Sequence, residues 1–159
     1  MDASIIIPTF NHGETLRFAL HSIKQQSVQD FEVFVIGDGV PEQHKSWVRN
    51  AVAADSRFIF IDHPKHERRG EPYRHEVLKT ATGKLVCYMT DRDIWLPNHL
   101  EQMQVLLANS DYAHALPLHV LPDASLRVFA CDLTGPGYRY MMSTVMDNRM
   151  PFSSFAHTR

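Results

Sequence analysis

The chain has 159 residues, 44% of them hydrophobic and 21% charged, with a formal charge of −2 and a pI near 6.5. That length supports one domain with a sizeable core, and the near-neutral balance excludes the strongly basic surface of a bulk nucleic-acid binder. No apolar run approaches a membrane span, and Met1 to Ser4 lack the basic start of a signal peptide. Two cysteines, Cys87 and Cys131, are too few for a disulfide framework, so a reducing, cytoplasmic setting is expected.

In chain order, Ile5 to Ile7 reads as a buried strand. Leu16, Ala19, Leu20 and Ile23 recur at helical spacing and predict an amphipathic helix over 13–26. Phe31 to Ile36 is a second strand, closed by Gly37-Asp38-Gly39. Pro41 suits the first turn of a helix whose inner face carries Trp47, Val48, Ala51 and Val52. Phe58 to Ile61 is a third strand, followed by a polar, basic loop from His63 to Gly70. Pro72 opens a helix with Val77, Leu78 and Ala81 inside, and Gly83 fits its stop. Leu85 to Met89 is a fourth strand, with Cys87 a small buried hydrophobe within it. Pro97 opens a helix with Leu100, Met103, Leu106 and Leu107 inside. Ala113 to Leu121 and Leu126 to Leu133 predict a hairpin around Pro122-Asp123-Ala124-Ser125. The tail from Thr134 to Arg159 gives no assignable element.

This alternation predicts a mostly parallel sheet with helices on both faces. Ligands of such sheets bind beyond the carboxyl ends of the strands, where three polar turns fall: Thr9-Phe10-Asn11, Gly37-Asp38-Gly39, and Thr90 to Asp93. In an extended chain, alternate side chains share a face. Asp91 and Asp93 would then point at one bound object while Arg92 points away. Paired carboxylates suit a hard divalent cation, which often brings a phosphate. His63, His66 and His75 cluster near Lys65, Arg68, Arg69 and Arg74 without a zinc spacing. That segment reads either as a plain polar loop or as an anion-attracting flap. Trp47 and Trp95 read as core residues. There is no P-loop, no Gly-x-Ser-x-Gly and no Gly-rich dinucleotide fingerprint.

Four segments together resemble the inverting nucleotide-sugar glycosyltransferases of family two: Ser4 to Asn11, Phe31 to Gly39, Gly70 to Gly83, and Tyr88 to Glu101. The resemblance implies a GT-A-like α/β fold with a mostly parallel, Rossmann-like sheet and a C-terminal β-hairpin region, in a single domain over 1–159. It implies that Pro8, Thr9 and Asn11 line a base pocket with Phe10 near the base. Asp38, beside Gly39, would hydrogen-bond that base. Arg74 would face the diphosphate, Asp91 the ribose or the metal, and Asp93 the metal and the diphosphate. Mn2+ or Mg2+ would be the cofactor. The donor would be a nucleotide-diphospho-sugar, UDP-linked, and the acceptor a glycan, lipid or protein.

Two departures follow from the same resemblance. Gly37 stands where many members carry an acidic residue, and the central metal-binding aspartate falls on Arg92. Three readings stay open: Asp91 and Asp93 still hold a cation, Arg92 itself offsets the diphosphate charge, or catalysis is lost. The family's catalytic base lies downstream of a segment like Phe152 to Arg159, where this sequence stops. A donor-binding portion without its acceptor half is therefore expected, and no catalytic base is assigned. An active transferase and a catalytically impaired nucleotide-sugar-binding module both stay open.

Overall fold

A computed structural model describes residues 1–128, 135–140, 143–144 and 151–159. The four predicted strands form as β1 (Ala3–Thr9), β2 (Phe31–Asp38), β3 (Phe58–His63) and β4 (Leu85–Tyr88). They are joined by α1 (Leu16–Lys24, after a 3-10 turn at Gly13–Thr15), α2 (Glu42–Ala53) and α3 (Glu71–Thr80), and α4 (His99–Leu107) follows. β1 pairs in parallel with both β2 and β4, and β2 with β3. With β5 (Tyr112–His114) and β8 (Phe155–Thr158) they complete one six-stranded sheet, ordered β3-β2-β1-β4-β8-β5.

The sheet is covered on both sides, which is why its inner strands are apolar runs and not alternating ones. Ile5, Ile7, Val33 and Val35 face one core with Leu16, Leu20, Ile23, Val48, Leu100 and Met103, from α1, α2 and α4. Ile6, Phe34, Ile36 and Val86 face the other with Val77 of α3. Ile5, Ile6 and Ile7 are all fully buried; each contributes about 1.5–3 kcal/mol relative to exposure.

A buried carboxylate ties the amino ends of these strands together. Glu32 Oε1 accepts from Ser4 Oγ (2.6 Å), the Thr82 amide (2.6 Å) and Thr82 Oγ1 (2.9 Å), while Ser4 Oγ accepts from the Gly83 amide at 2.8 Å. Burial alone would raise the Glu32 pKa, and these hydrogen bonds together hold it below its ordinary value.

Four sequence expectations change in the folded chain. Gly83 is not the helix stop: α3 ends at Thr80, and a Cβ on Gly83 would stand 2.3 Å from the Ser4 amide nitrogen. Close backbone approach explains this glycine. Leu106 is 47% exposed, because the buried stripe of α4 runs through Leu100, Met103 and Leu107. The predicted strand over 113–121 is split. Its start, β5, joins the main sheet, and β6 (Leu118–Val120) pairs with β7 (Leu126–Val128) as the hairpin. Pro117, which has no amide to donate, lies between the two pieces. Finally, the unassigned tail supplies β8, which inserts antiparallel between β4 and β5. It also supplies a 3-10 turn at Phe152–Ser154 and a short helix, α5 (Pro136–Tyr140).

The hairpin expectation over 129–133 lies outside the described residues, as does Cys131. Cys87 is fully buried, and burial pushes its thiol up to about 12. Among the described residues no helix is long and apolar enough to cross a membrane.

Candidate functional site

The carboxyl ends of β1, β2 and β4 open on one cleft of about 490 Å3, as the strand order predicts. Pro8, Thr9, Phe10 and His12 line it from the end of β1, and Asp38 from the end of β2. Lys65 and Arg69 come from the loop after β3, Arg74 from α3, and Thr90, Asp91 and Arg92 from the turn after β4. Phe152, from the tail, completes the wall.

Asp38 is 4% exposed. Its Oδ2 pairs with the Lys65 ammonium, and its Oδ1 accepts from the His66 amide at 2.7 Å. The carboxylate thus anchors the polar loop while lining the cleft. Gly39 sits beside it at φ 77°, outside the lining, its amide bonded to the His63 carbonyl at 2.8 Å. A Cβ there would meet the Lys65 backbone at 2.9 Å. The Lys65 ammonium also lies 4.2 Å from the Phe10 ring centroid, a cation–π contact at the cleft mouth.

The turn after β4 departs from the extended geometry assumed for it. Strand pairing ends at Tyr88, and Asp91 and Arg92 form a turn. Asp91, 4% exposed, accepts from Thr9 Oγ1 at 2.8 Å and contacts His12 Nδ1 at 3.1 Å. Thr15 Oγ1 donates to the Asp91 carbonyl at 3.0 Å. Asp93 is instead hydrogen-bonded by Ser153 Oγ, which also accepts from the Thr90 amide at 2.8 Å, and Asp93 is not part of the cleft lining. The two carboxylates therefore serve different partners, and the residue expected to point away, Arg92, lines the cleft. Its Nη1 stands 3.3 Å from His12 Nε2.

Asp91 and Asp93, the expected Mn2+ or Mg2+ ligands, are thus held by different partners. Among the described residues no three His, Cys, Asp or Glu side chains converge, so a cation here would take its remaining ligands from phosphate and water.

The lining is instead cationic. Lys65, Arg69, Arg74 and Arg92 face it against two carboxylates, Asp38 and Asp91. Arg74 Nη1 donates to the Arg69 carbonyl at 2.7 Å, and its guanidinium lies 5.9 Å from the Phe152 ring centroid. Burial lowers the Arg74 pKa against the opposing fields of Glu71 and Asp38. Arg68, from the same basic loop, pairs with Glu71 and stays outside.

Pro8, Thr9, Phe10, Asp38, Arg74, Asp91 and Arg92 are thus brought together, as the sequence predicts. Asn11 is not: the chain bends at Phe10 and Asn11, leaving Asn11 exposed and returning His12 to the cleft. Thr90 lines the cleft with the third polar turn, whereas His12 and Phe152 carried no sequence signal for the site. Lys65 and Arg69 had only the composition of their loop. Trp95 is a core residue, stacked on His99 with ring centroids 4.2 Å apart and donating its indole N–H to the Ser153 carbonyl at 2.7 Å.

Known proteins share this fold and sequence. A GalNAc(5)-diNAcBac-PP-undecaprenol beta-1,3-glucosyltransferase from Campylobacter jejuni is 31% identical over 111 residues, covering 70% of this chain and 36% of its own. The Escherichia coli protein WfgD is a UDP-Glc:alpha-D-GlcNAc-diphosphoundecaprenol beta-1,3-glucosyltransferase. It is 27% identical over 108 residues, covering 67% of this chain and 42% of its own. The chain thus spans less than half the length of these relatives.

Among solved structures, the mannosyltransferase PcManGT of Pyrobaculum calidifontis in complex with GDP-Man and Mn2+ superposes with a TM-score of 0.66 at 17% identity, over 99% of this chain and 44% of that one. S. aureus TarS 1-349 in complex with UDP gives 0.62 at 22% identity, over 70% and 34%. The fold is accordingly that of the GT-A glycosyltransferases. The model of glycosyl transferase family 2 matches residues 4–140, and the chain belongs to that family.

Proposed function

We propose that the cleft binds a nucleotide-diphospho-sugar, UDP-linked, and that the chain is the donor-binding part of a cytoplasmic glycosyltransferase. The observation that carries this reading is the make-up of the lining, an aromatic ring and a buried carboxylate together with three arginines. Phe10 and Asp38 supply an aromatic surface beside a buried acceptor, which suits a base with an imino N–H donor, as uracil has at N3. Arg69, Arg74 and Arg92 supply guanidinium groups that suit a diphosphate, since guanidinium pairs with phosphate through two parallel hydrogen bonds. The UDP-bound structure at TM-score 0.62 supports the same reading.

In this scheme the residues bind and orient. Asp38 fixes the base, and the arginines hold the leaving diphosphate and stabilise its charge as the bond to the sugar breaks. The two similar glucosyltransferases name undecaprenol-linked acceptors, so a lipid-linked glycan is the first acceptor to test. The alternative, a nucleotide-sugar-binding module without transfer, is favoured by Arg92 at the place of the family's metal ligand.

Calorimetric titration of UDP, GDP and dTDP into the chain tests the pocket. We expect UDP to bind, and to bind more weakly to Asp38→Asn, which keeps the side-chain volume but loses the charge. Binding of none of the three nucleotides to the folded chain would sink the reading.

A further inference from the structure

The turn after β4 holds Arg92 at the wall of the cleft. His12 bridges Arg92 and Asp91: its Nε2 stands 3.3 Å from Arg92 Nη1 and its Nδ1 3.1 Å from Asp91. A neutral ring with its proton on Nδ1 satisfies both contacts, donating to Asp91 and accepting from Arg92. Thr9 Oγ1 holds Asp91 from the other side at 2.8 Å. The guanidinium is therefore braced through two side chains to the end of β1, and it is exposed to the cleft. Asp93, the second carboxylate of the turn, is drawn off to Ser153.

Among the described residues, Arg69, Arg74 and Arg92 have no carboxylate partner. The lining carries two more positive than negative side chains. A diphosphate brings a compensating charge, and a planar guanidinium can bind it bidentately.

We propose that Arg92 supplies the charge neutralisation at the diphosphate that a divalent cation would otherwise provide, so that this chain binds a nucleoside diphosphate without metal. The inference rests on the nucleotide-binding reading above and assigns the means by which that site holds phosphate.

The test is titration of UDP into the chain in EDTA and, separately, in Mn2+ and Mg2+. We expect affinities that agree within about twofold across the three conditions. Arg92→Ala should lower the affinity in EDTA by about tenfold, the value of one charge-assisted hydrogen bond. Arg92→Lys should recover part of it, because an ammonium lacks the paired donors. Arg92 is exposed, so both variants should fold, as circular dichroism would verify. Wild-type affinity that rises tenfold or more with Mn2+ overturns the inference and leaves the nucleotide site standing. Unchanged affinity in Arg92→Ala has the same consequence. No binding of UDP, GDP or dTDP in any condition overturns the nucleotide site itself.

Discussion

Strand β2 carries a buried carboxylate near each end, Glu32 at 8% exposure and Asp38 at 4%, and their surroundings differ. Glu32 is held by neutral donors alone, in a network closed by Ser4, Thr82 and Gly83. Asp38 is held by an ammonium and an amide, at the edge of an open cleft whose arginines have no carboxylate partner among the described residues. One chemical group thus does two jobs on one strand. The amino end of the sheet uses it to close the fold, and the carboxyl end uses it to shape a site. Loops after parallel strands gather at the carboxyl end, and there cations from distant segments meet around Asp38 and Asp91.

The comparison predicts unequal losses. Glu32→Ala should cost most, about 3 kcal/mol, because it removes the acceptor of the buried Ser4 hydroxyl and of the part-buried Thr82 amide and hydroxyl. A fall in urea midpoint with nucleotide affinity retained in the folded fraction would check it. A drop in affinity with unchanged stability would break the contrast between the two ends.

A third buried titratable group sharpens the closed side of the contrast. His99 stacks on Trp95, its Nε2 has no partner among the described residues, and burial lowers its pKa from 6.5 to about 4. Between those values the unfolded chain takes up a proton that the folded chain refuses. This contribution is therefore whole above pH 6.5 and is lost as pH falls towards 4, by at most about 3 kcal/mol. His99→Phe, which keeps an aromatic ring against Trp95, should flatten the stability profile across that window. Denaturant midpoints between pH 4 and 7 in both proteins measure it.

At the open end, Asp38→Ala should weaken UDP binding by about tenfold and cost about 1 kcal/mol of stability through the freed Lys65 loop. Calorimetry with parallel thermal melts separates the two. The smallest effect belongs to Asn11→Ala, which should leave affinity unchanged and stability within about 0.5 kcal/mol, because Asn11 is exposed and outside the lining. A clear loss of UDP affinity in that variant would restore Asn11 to the pocket.

The sequence by itself determined the doubly covered parallel sheet. Ile5 to Ile7 and Leu85 to Met89 are unbroken apolar runs, and Phe31 to Ile36 is interrupted only by Glu32, a pattern that strands buried on both faces require. It also determined that three polar turns would meet, because strand polarity alone puts them at one end. Tertiary structure alone decided where side chains point within those turns. Asp91 is claimed by Thr9, 82 residues away, and Asp93 by Ser153, 60 residues away. No local pattern encodes such partners, and period-two alternation stops applying where the strand becomes a turn. The place of β8 between β4 and β5 is legible only after folding for a related reason. Four residues carry too little periodicity to declare a strand, and it is the two flanking edges that make one of them.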